Sequence, residues 1–284
     1  MNKRVKLILC VLVISLISVG LLTACSAGNQ ESDAKDDKGK AKVEVQAEPT
    51  FLDELKETGV IRVGSTPTGP PFTFLNPKSN EIEGLMVDIA SLVGDELGLK
   101  VEINAIQFSS LIPSVQSEKI DLVSAGMAIT EDRAKVIDFS IPVYSYGGGL
   151  VVAKDNNEIK QFEDFSGKKI GVQEGTVYAN YMKDYPEIET QTYKSIADMV
   201  KELKFGRLDA LIGDYPIVAR MLAENPDFKK DVKLVREYKP KEVVKIGMGF
   251  PKGTDEFQDT VNAIIQKLQE NGELDKLLEK WGLK

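Results

Sequence analysis

From residue 51 onward, short apolar segments alternate with amphipathic stretches, and this alternation constrains the fold more than any other feature of the sequence. The strand candidates are GVIRVGS (59–65), KVEINAI (100–106), DLVSAG (121–126), GLVVAK (149–154), KIGVQ (169–173), DALIG (209–213) and VKIGMGF (244–250). Runs of this length that are bounded by turn residues are typical of strands. Strands that alternate with helices predict an α/β fold with mainly parallel sheets covered by helices.

The amphipathic stretches carry apolar residues three and four positions apart, which predicts helices with one buried face. These residues are Met86, Ile89, Leu92, Val93 and Leu97; Ile196, Met199, Val200 and Leu203; and Phe257, Val261, Ile264, Ile265 and Leu268. In such folds, ligands bind beyond the carboxyl ends of the strands. The loops after DLVSAG, KIGVQ and DALIG are therefore the expected site, and they contain Arg133, Gly175, Thr176 and Asp214.

Composition and net charge argue against several classes of function. The 284 residues, 42% of them hydrophobic, are enough for one large domain or two medium ones, and the formal charge of −8 argues against nucleic acid as a partner. The chain has no histidine, which removes histidine-based catalytic triads and zinc sites. Both cysteines, Cys10 and Cys25, lie near the N-terminus, so the body has no disulfide framework or cysteine-rich metal site. We therefore expect neither a cofactor nor a metal.

The first residues are typical of a secretory signal, with Lys3, Arg4 and Lys6 ahead of an apolar run. The run ends in LTAC (22–25), which resembles the bacterial lipobox, whose cysteine receives a diacylglyceryl group before cleavage. The alternatives are an uncleaved membrane anchor or a plain signal peptide. We predict a signal peptide over residues 1–24 and, over 25–50, a lipidated Cys25 with a disordered, charged tether.

The stretch AITEDRAKVIDFS (128–140) opens like a helix, with Thr130 as its cap and two acids in the first turn. Arg133 follows immediately, although cations favour the other end of a helix. From the residues alone, Arg133 is either a solvated surface charge or a group that holds an anion together with the helix N-terminus.

The body resembles the bacterial extracellular solute-binding proteins of family 3, which deliver polar amino acids to ABC transporters. The resemblance runs from about residue 55 to residue 284. It rests on the order and spacing of PPFTF (70–74), GLMVDIA (84–90), LIPSVQSEKIDLVSAGMAITEDRAKVIDFSIPVY (111–144), GVQEGT (171–176), LDALIGD (208–214) and GMGFPKGTDEFQDTVNAIIQKLQENGELDKLLEKWG (247–282).

The resemblance implies a two-lobed, type II periplasmic-binding-protein-like fold with two hinge strands and the ligand in the interlobe cleft. The chain would cross between the lobes near Tyr144–Gly147 and Val244–Gly247, and the triple glycine from Gly147 fits a hinge. Lobe 1 would comprise residues 51–146 and 247–284, and lobe 2 residues 147–246.

The resemblance also implies a clamp for the two charges of an amino acid. Arg133 would hold the carboxylate with two parallel hydrogen bonds. Backbone N–H groups at Ala128, Gly175, Thr176 and Val177 would add donors.

On the other side of this clamp, Asp214 and the Gly126 carbonyl would accept from the ammonium group, although Asp214 could instead cap the helix that begins at Tyr215. Phe108 would be an aromatic platform for the ligand side chain or an ordinary core residue. Gln173 would contact the ligand side chain or be a plain exposed polar residue.

Three positions depart from the family pattern. Ala128 stands where many relatives have a hydroxyl for the carboxylate. Gly69 replaces an aromatic wall, and Thr66 stands where binders of basic amino acids often carry an acid. The last two differences favour a polar neutral amino acid such as glutamine, or a larger ligand such as cystine.

The sequence therefore predicts a non-catalytic binding lipoprotein on the extracytoplasmic face of the cell membrane. Its partners would be an amino acid, the permease subunits of an ABC transporter and the membrane, through the lipid anchor, and we expect a monomer. One alternative is a dehydratase or related lyase on the same fold, with Glu174 as its acid or base. Another is a sensor that passes closure on the ligand to a membrane partner.

Overall fold

The computed structural model describes residues 48–284. The signal peptide, Cys25 and most of the predicted tether lie outside these residues. Helices span Phe51–Thr58 (α1), Leu85–Leu97 (α2), Leu111–Gln116 (α3), Glu131–Ala134 (α4), Val177–Tyr181 (α5), Ile196–Lys204 (α6), Tyr215–Glu224 (α7), Pro226–Asp231 (α8), Asp255–Glu270 (α9) and Glu273–Lys280 (α10). Within the described residues, none of these helices is long and apolar enough to cross a membrane.

The strands form two large sheets and one small one. They span Val60–Ser65 (β1), Thr68–Gly69 (β2), Thr73–Leu75 (β3), Ile82–Glu83 (β4), Lys100–Ala105 (β5), Leu122–Val123 (β6), Asp138–Phe139 (β7), Tyr144–Ala153 (β8), Lys169–Gln173 (β9), Glu189–Tyr193 (β10), Ala210–Asp214 (β11), Val232–Leu234 (β12), Val243–Ile246 (β13) and Gly249–Phe250 (β14). The small sheet has the order β2-β3-β4.

The first large sheet has the order β5-β1-β6-β14-β7. Strand β1 runs parallel to β5 and β6, whereas β14 runs antiparallel to β6 and β7. The predicted stripe of α9 is buried, and in the stripe of α2 Met86, Ile89 and Val93 are fully inaccessible while Leu92 and Leu97 are partly buried. As the 3.6-residue periodicity predicts, these faces form the core of the first sheet.

The second large sheet has the order β10-β9-β11-β8-β12. Strand β9 runs parallel to β10 and β11, but β8 is antiparallel to both β11 and β12. The prediction of mainly parallel sheets is therefore wrong for β8 and β14. A buried strand has the same apolar pattern whether the neighbouring strand is parallel or antiparallel to it. The sequence pattern therefore does not report strand direction.

The two large sheets are connected by neighbouring strands. The first residues of β8 pair antiparallel with β13, from Tyr144 opposite Ile246 to Gly147 opposite Val243, and the rest of β8 belongs to the second sheet. The predicted single strand over 244–250 is instead two strands, because Gly247 separates β13 from β14 in the first sheet. This arrangement agrees with the expected two-lobed fold.

The triple glycine that was expected to be a hinge is regular strand within β8. A Cβ atom at Gly147 would lie 2.4 Å from Pro240 Cγ, and one at Gly149 would lie 2.5 Å from Val218 Cγ2. At these positions glycine is needed because neighbouring side chains pack directly on the strand.

Candidate ligand-binding site

Arg133 lies on the single-turn helix α4, which follows the carboxyl end of β6. As predicted, Thr130 caps this helix, because its hydroxyl accepts a hydrogen bond from the Arg133 backbone N–H at 3.3 Å. Arg133 is only 7% exposed. The side chain of Arg133 is therefore not the solvated surface charge that the residues alone allowed.

The Arg133 guanidinium joins segments that belong to the two different sheets. Its Nη1 donates to the Ala128 carbonyl at 2.6 Å, and its Nη2 donates to the Gly175 carbonyl at 2.8 Å. The Phe108 ring centroid lies 5.6 Å from Arg133 Cζ, a cation–π distance. A guanidinium has five N–H donors, so most of them remain available for an anion.

Gly175 has a φ of +75°, and a Cβ atom there would lie 3.0 Å from Ser109 Cα. The backbone conformation and this close approach both require glycine. Gly175 therefore lets the loop after β9 reach the segment around Phe108 and meet Arg133.

The positive charge of Arg133 has no acidic partner within 4.0 Å among residues 48–284. Burial lowers the pKa of Arg133, and the nearby Tyr146 and Asp214 oppose this shift. Because arginine stays charged in proteins, the structure holds a desolvated cation that is hydrogen-bonded only to neutral carbonyls.

Asp214 ends β11 and precedes α7. Its side chain makes no capping hydrogen bond to α7, so the structure does not favour the alternative role as a helix cap. Burial raises the pKa of Asp214 to about 6, although the hydroxyls of Tyr146 and Tyr178 and the charge of Arg133 act in the opposite direction. Asp214 and Arg133 influence each other electrostatically without forming an ion pair within the part of the chain that the structure describes.

Two tyrosines complete the surroundings of Asp214, and neither was predicted from the sequence. Tyr146, on β8, is 6% exposed and donates its hydroxyl to the Gly126 carbonyl at 3.1 Å. Tyr178, on α5, is 5% exposed, and its hydroxyl makes no hydrogen bond to the described residues. The sequence signal for Tyr146 was its alternation with Tyr144 in YSYGGG, which puts both on one face of a strand; Tyr178 had no such signal.

The other predicted residues divide into those near Arg133 and those turned away. Thr176 follows Gly175 and caps α5, its hydroxyl donating to the Gln173 carbonyl at 2.7 Å and accepting from the Ala179 N–H at 3.3 Å. Val177 is partly buried against the core. The Gln173 side-chain amide donates to the Lys194 carbonyl at 3.0 Å and is not directed at Arg133.

Thr66 is buried, and its hydroxyl lies 3.2 Å from that of Thr68. A Cβ atom at Gly69 would lie 3.6 Å from Thr66 Cγ2 and 3.4 Å from Ile217 Cδ1. Because Ile217 is on α7, which starts immediately after Asp214, Thr66 and Gly69 lie on the side of the cleft that faces this helix.

Among residues 48–284, no cluster of three or more Cys, Asp or Glu side chains could hold an ion. What the site offers is a buried cation, a desolvated carboxyl and aromatic surface.

A family model described as bacterial extracellular solute-binding proteins, family 3, matches residues 61–284. The chain belongs to this family. The resemblance noted in the sequence motifs is thereby confirmed. This solute-binding protein is 30% identical over 224 residues to ABC transporter arginine-binding protein 1 of Escherichia coli K12, covering 78% of this chain and 90% of that protein. It is 30% identical over 283 residues to the glutamine-binding protein GlnH of Bacillus subtilis 168, covering 97% of each.

Solved structures of family proteins have the same fold. A mutant of ArgBP from T. maritima matches with a TM-score of 0.76 and 32% identity, covering 82% of this chain and 99% of that one. An ancestral amino acid-binding protein, described as a precursor of cyclohexadienyl dehydratase, matches with a TM-score of 0.73 and 33% identity, covering 82% and 99%. The predicted two-lobed type II fold is confirmed.

The raised pKa of Asp214 predicts a pH-dependent stability. In the ligand-free protein, the free energy of unfolding should fall by up to ~3 kcal/mol as pH rises from about 4 to about 6, because the folded state holds this proton more tightly than the unfolded state. Urea unfolding across this range measures the effect, and Asp214→Asn should lack this part of the dependence. The exposed Asp227→Asn should retain it; a wild-type profile in Asp214→Asn would contradict the assignment.

Proposed function

We propose that this solute-binding protein captures an α-amino acid for an ABC importer. Arg133 binds the carboxylate, and Asp214 accepts from the ammonium group. The observation that carries the proposal is that the two opposite charges are both desolvated in one region, yet have no ion-pair partner within the described residues. An amino acid carries the two complementary charges a few ångströms apart and would neutralise both.

The carboxylate side of the site is assembled from both lobes. Arg133 lies beside Ala128 in the proposed lobe 1, and its hydrogen bond to the Gly175 carbonyl reaches the proposed lobe 2. The Val177 N–H at the start of α5 is a further candidate donor, whereas the Thr176 N–H donates to the Gln173 carbonyl at 3.3 Å. Because donors from both lobes converge on one anion, binding of the carboxylate favours the closed arrangement of the lobes.

On the ammonium side, Asp214 acts together with Gly126 and the two tyrosines. The Gly126 carbonyl already accepts from Tyr146, but a carbonyl oxygen has a second lone pair for the ligand. The buried Tyr178 hydroxyl also has an unused lone pair in this region. These oxygens would replace the water that the ammonium group loses on entry.

The ligand side chain would lie against Phe108 and near Thr66. Neither Thr66 nor Gly69 supplies a negative charge, so a polar neutral amino acid such as glutamine, or cystine, is proposed over a basic one. The relatives reported above include an arginine-binding and a glutamine-binding protein, so the family contains both kinds. Gln173 contributes to the site only if it leaves the Lys194 carbonyl.

We further propose that Cys25 is lipidated and holds the protein on the extracytoplasmic face of the membrane, where the closed form docks on permease subunits as a monomer. The support is the LTAC sequence and the family's extracellular description. Cys25→Ser should release the protein into the soluble fraction and abolish labelling by a fatty-acid analogue. Membrane retention and labelling equal to wild type would contradict the proposed anchor.

The dehydratase alternative has one specific support, the structural match to a precursor of cyclohexadienyl dehydratase. Its proposed acid or base, Glu174, is exposed, whereas a catalytic acid that works near neutral pH is usually desolvated. The only described carboxyl near Arg133 with a clearly raised pKa is Asp214, which the binding function already uses. Binding is therefore the function that the geometry supports best.

A binding screen of residues 48–284 against the amino acids and cystine, followed by calorimetry on the best ligand, tests the proposal. Arg133→Ala and Asp214→Asn should each weaken binding by about 3 kcal/mol or more, roughly a hundredfold or more in Kd, because each leaves one ligand charge buried and unpaired. The exposed neighbours Lys135→Ala and Asp227→Asn should bind like wild type. Failure of every α-amino acid to bind would refute the proposal, and unchanged affinity in either site variant would remove that residue from the clamp.

A further inference from the structure

A second concave surface lies in the half of the molecule that contains the second sheet. This groove encloses about 550 Å³ and is bounded by α7, α8, β12 and the loop over residues 154–160. Its floor is apolar, formed by the buried residues Ile159, Leu222, Val232 and Val235. The volume is in the range of small-molecule sites.

The rim of this groove is strongly basic. Five cationic side chains line it: Lys154, Lys160, Lys229, Lys233 and Arg236. Glu237 is the one acidic residue in the lining. The chain as a whole has a formal charge of −8, so a cluster of this kind does not follow from overall composition.

Three of the acids beside the groove pair with other cations, whereas Asp155 and Glu158, in the loop that bounds it, are exposed and form no ion pair within the described residues. Asp231 pairs with Lys204 at 2.7 Å, Asp227 with Lys230 at 2.9 Å, and Glu224 with Arg220 at 2.8 Å. By contrast, none of the five groove cations forms an ion pair within 4.0 Å in the described part of the chain. Lys233 instead donates to the Asn157 side-chain oxygen at 2.7 Å. Five cations therefore share a lining that contains one acid, Glu237, and they repel one another.

We propose that this groove binds a phosphate-bearing anion. Lysine binds phosphate as a point charge. A compound with several phosphates, or with one phosphate and an apolar part, matches a lining that combines five cations with buried apolar residues. The Asn156 and Asn157 side chains in the lining can add polar contacts. A single carboxylate would neutralise too few of the cations, so the charge count favours phosphate.

The groove is separate from the amino-acid site. None of its lining residues is among those assigned to the carboxylate or ammonium clamp, although α7 contributes to both regions. The inference therefore does not depend on the proposed transport function. Amino-acid affinity and phosphate affinity can fail independently.

Calorimetric titration with inorganic triphosphate at low salt tests the groove. Wild-type protein should bind, and the charge-reversed double variant Lys154→Glu/Lys229→Glu should bind about tenfold or more weakly, because two of the five cations become anions. Lys78→Glu/Lys119→Glu is the matched control, since it makes the same charge change at exposed lysines outside the groove, and it should stay within about twofold of wild type. Circular dichroism and amino-acid binding establish that each variant is folded.

Sedimentation with phosphatidylglycerol vesicles, against phosphatidylcholine vesicles, separates a lipid headgroup from a free phosphate compound. Binding to phosphatidylglycerol that is lost in the groove variant and kept in the control variant supports the lipid source. Triphosphate binding without vesicle binding supports the free compound. Absence of both, or equal weakening in the two double variants, would overturn the proposal.

Discussion

The structure depends on how it accommodates the buried positive charge of Arg133. A guanidinium in a desolvated position is costly unless its donors are satisfied. Here two donors are satisfied by the carbonyls of Ala128 and Gly175, which belong to different halves of the molecule. The same side chain therefore connects loops that follow strands of the two large sheets, and three of its five N–H donors remain for an anion. The caps by Thr130 and Thr176, and the glycine at position 175, hold the two loops in the geometry that this requires.

The connection between the sheets is compatible with this role. Strands β8 and β13 pair antiparallel over Tyr144–Gly147, just before β8 joins the second sheet, and β8 carries Tyr146 toward Asp214. The site is thus built next to the strands that link the lobes as well as across the cleft.

The sequence was sufficient for the fold class and the helix faces, whereas the residues alone left the burial of Arg133 open. The spacing of Ile196, Met199, Val200 and Leu203 reports burial on its own, because a helix repeats every 3.6 residues. Strand direction and the interruption between β13 and β14 at Gly247 could not be predicted from the sequence, since both depend on which strand lies alongside. The roles of Tyr146 and Tyr178 were missed for the same reason: their proximity to Asp214 is created by packing between segments distant in sequence. Gln173 is the opposite case. Its residue type and its place at a strand end suit a ligand contact, but its side-chain amide donates to the Lys194 carbonyl instead.

We propose that Arg133 and Asp214 are complementary to the carboxylate and the ammonium group of one amino acid. Calorimetry with three forms of the best ligand tests it most directly: the free amino acid, its α-carboxamide, and its N-acetyl derivative. Each modified form should bind at least about a hundredfold more weakly, because each leaves one protein charge of the site without its partner. Binding of either modified form within about tenfold of the free amino acid would contradict it.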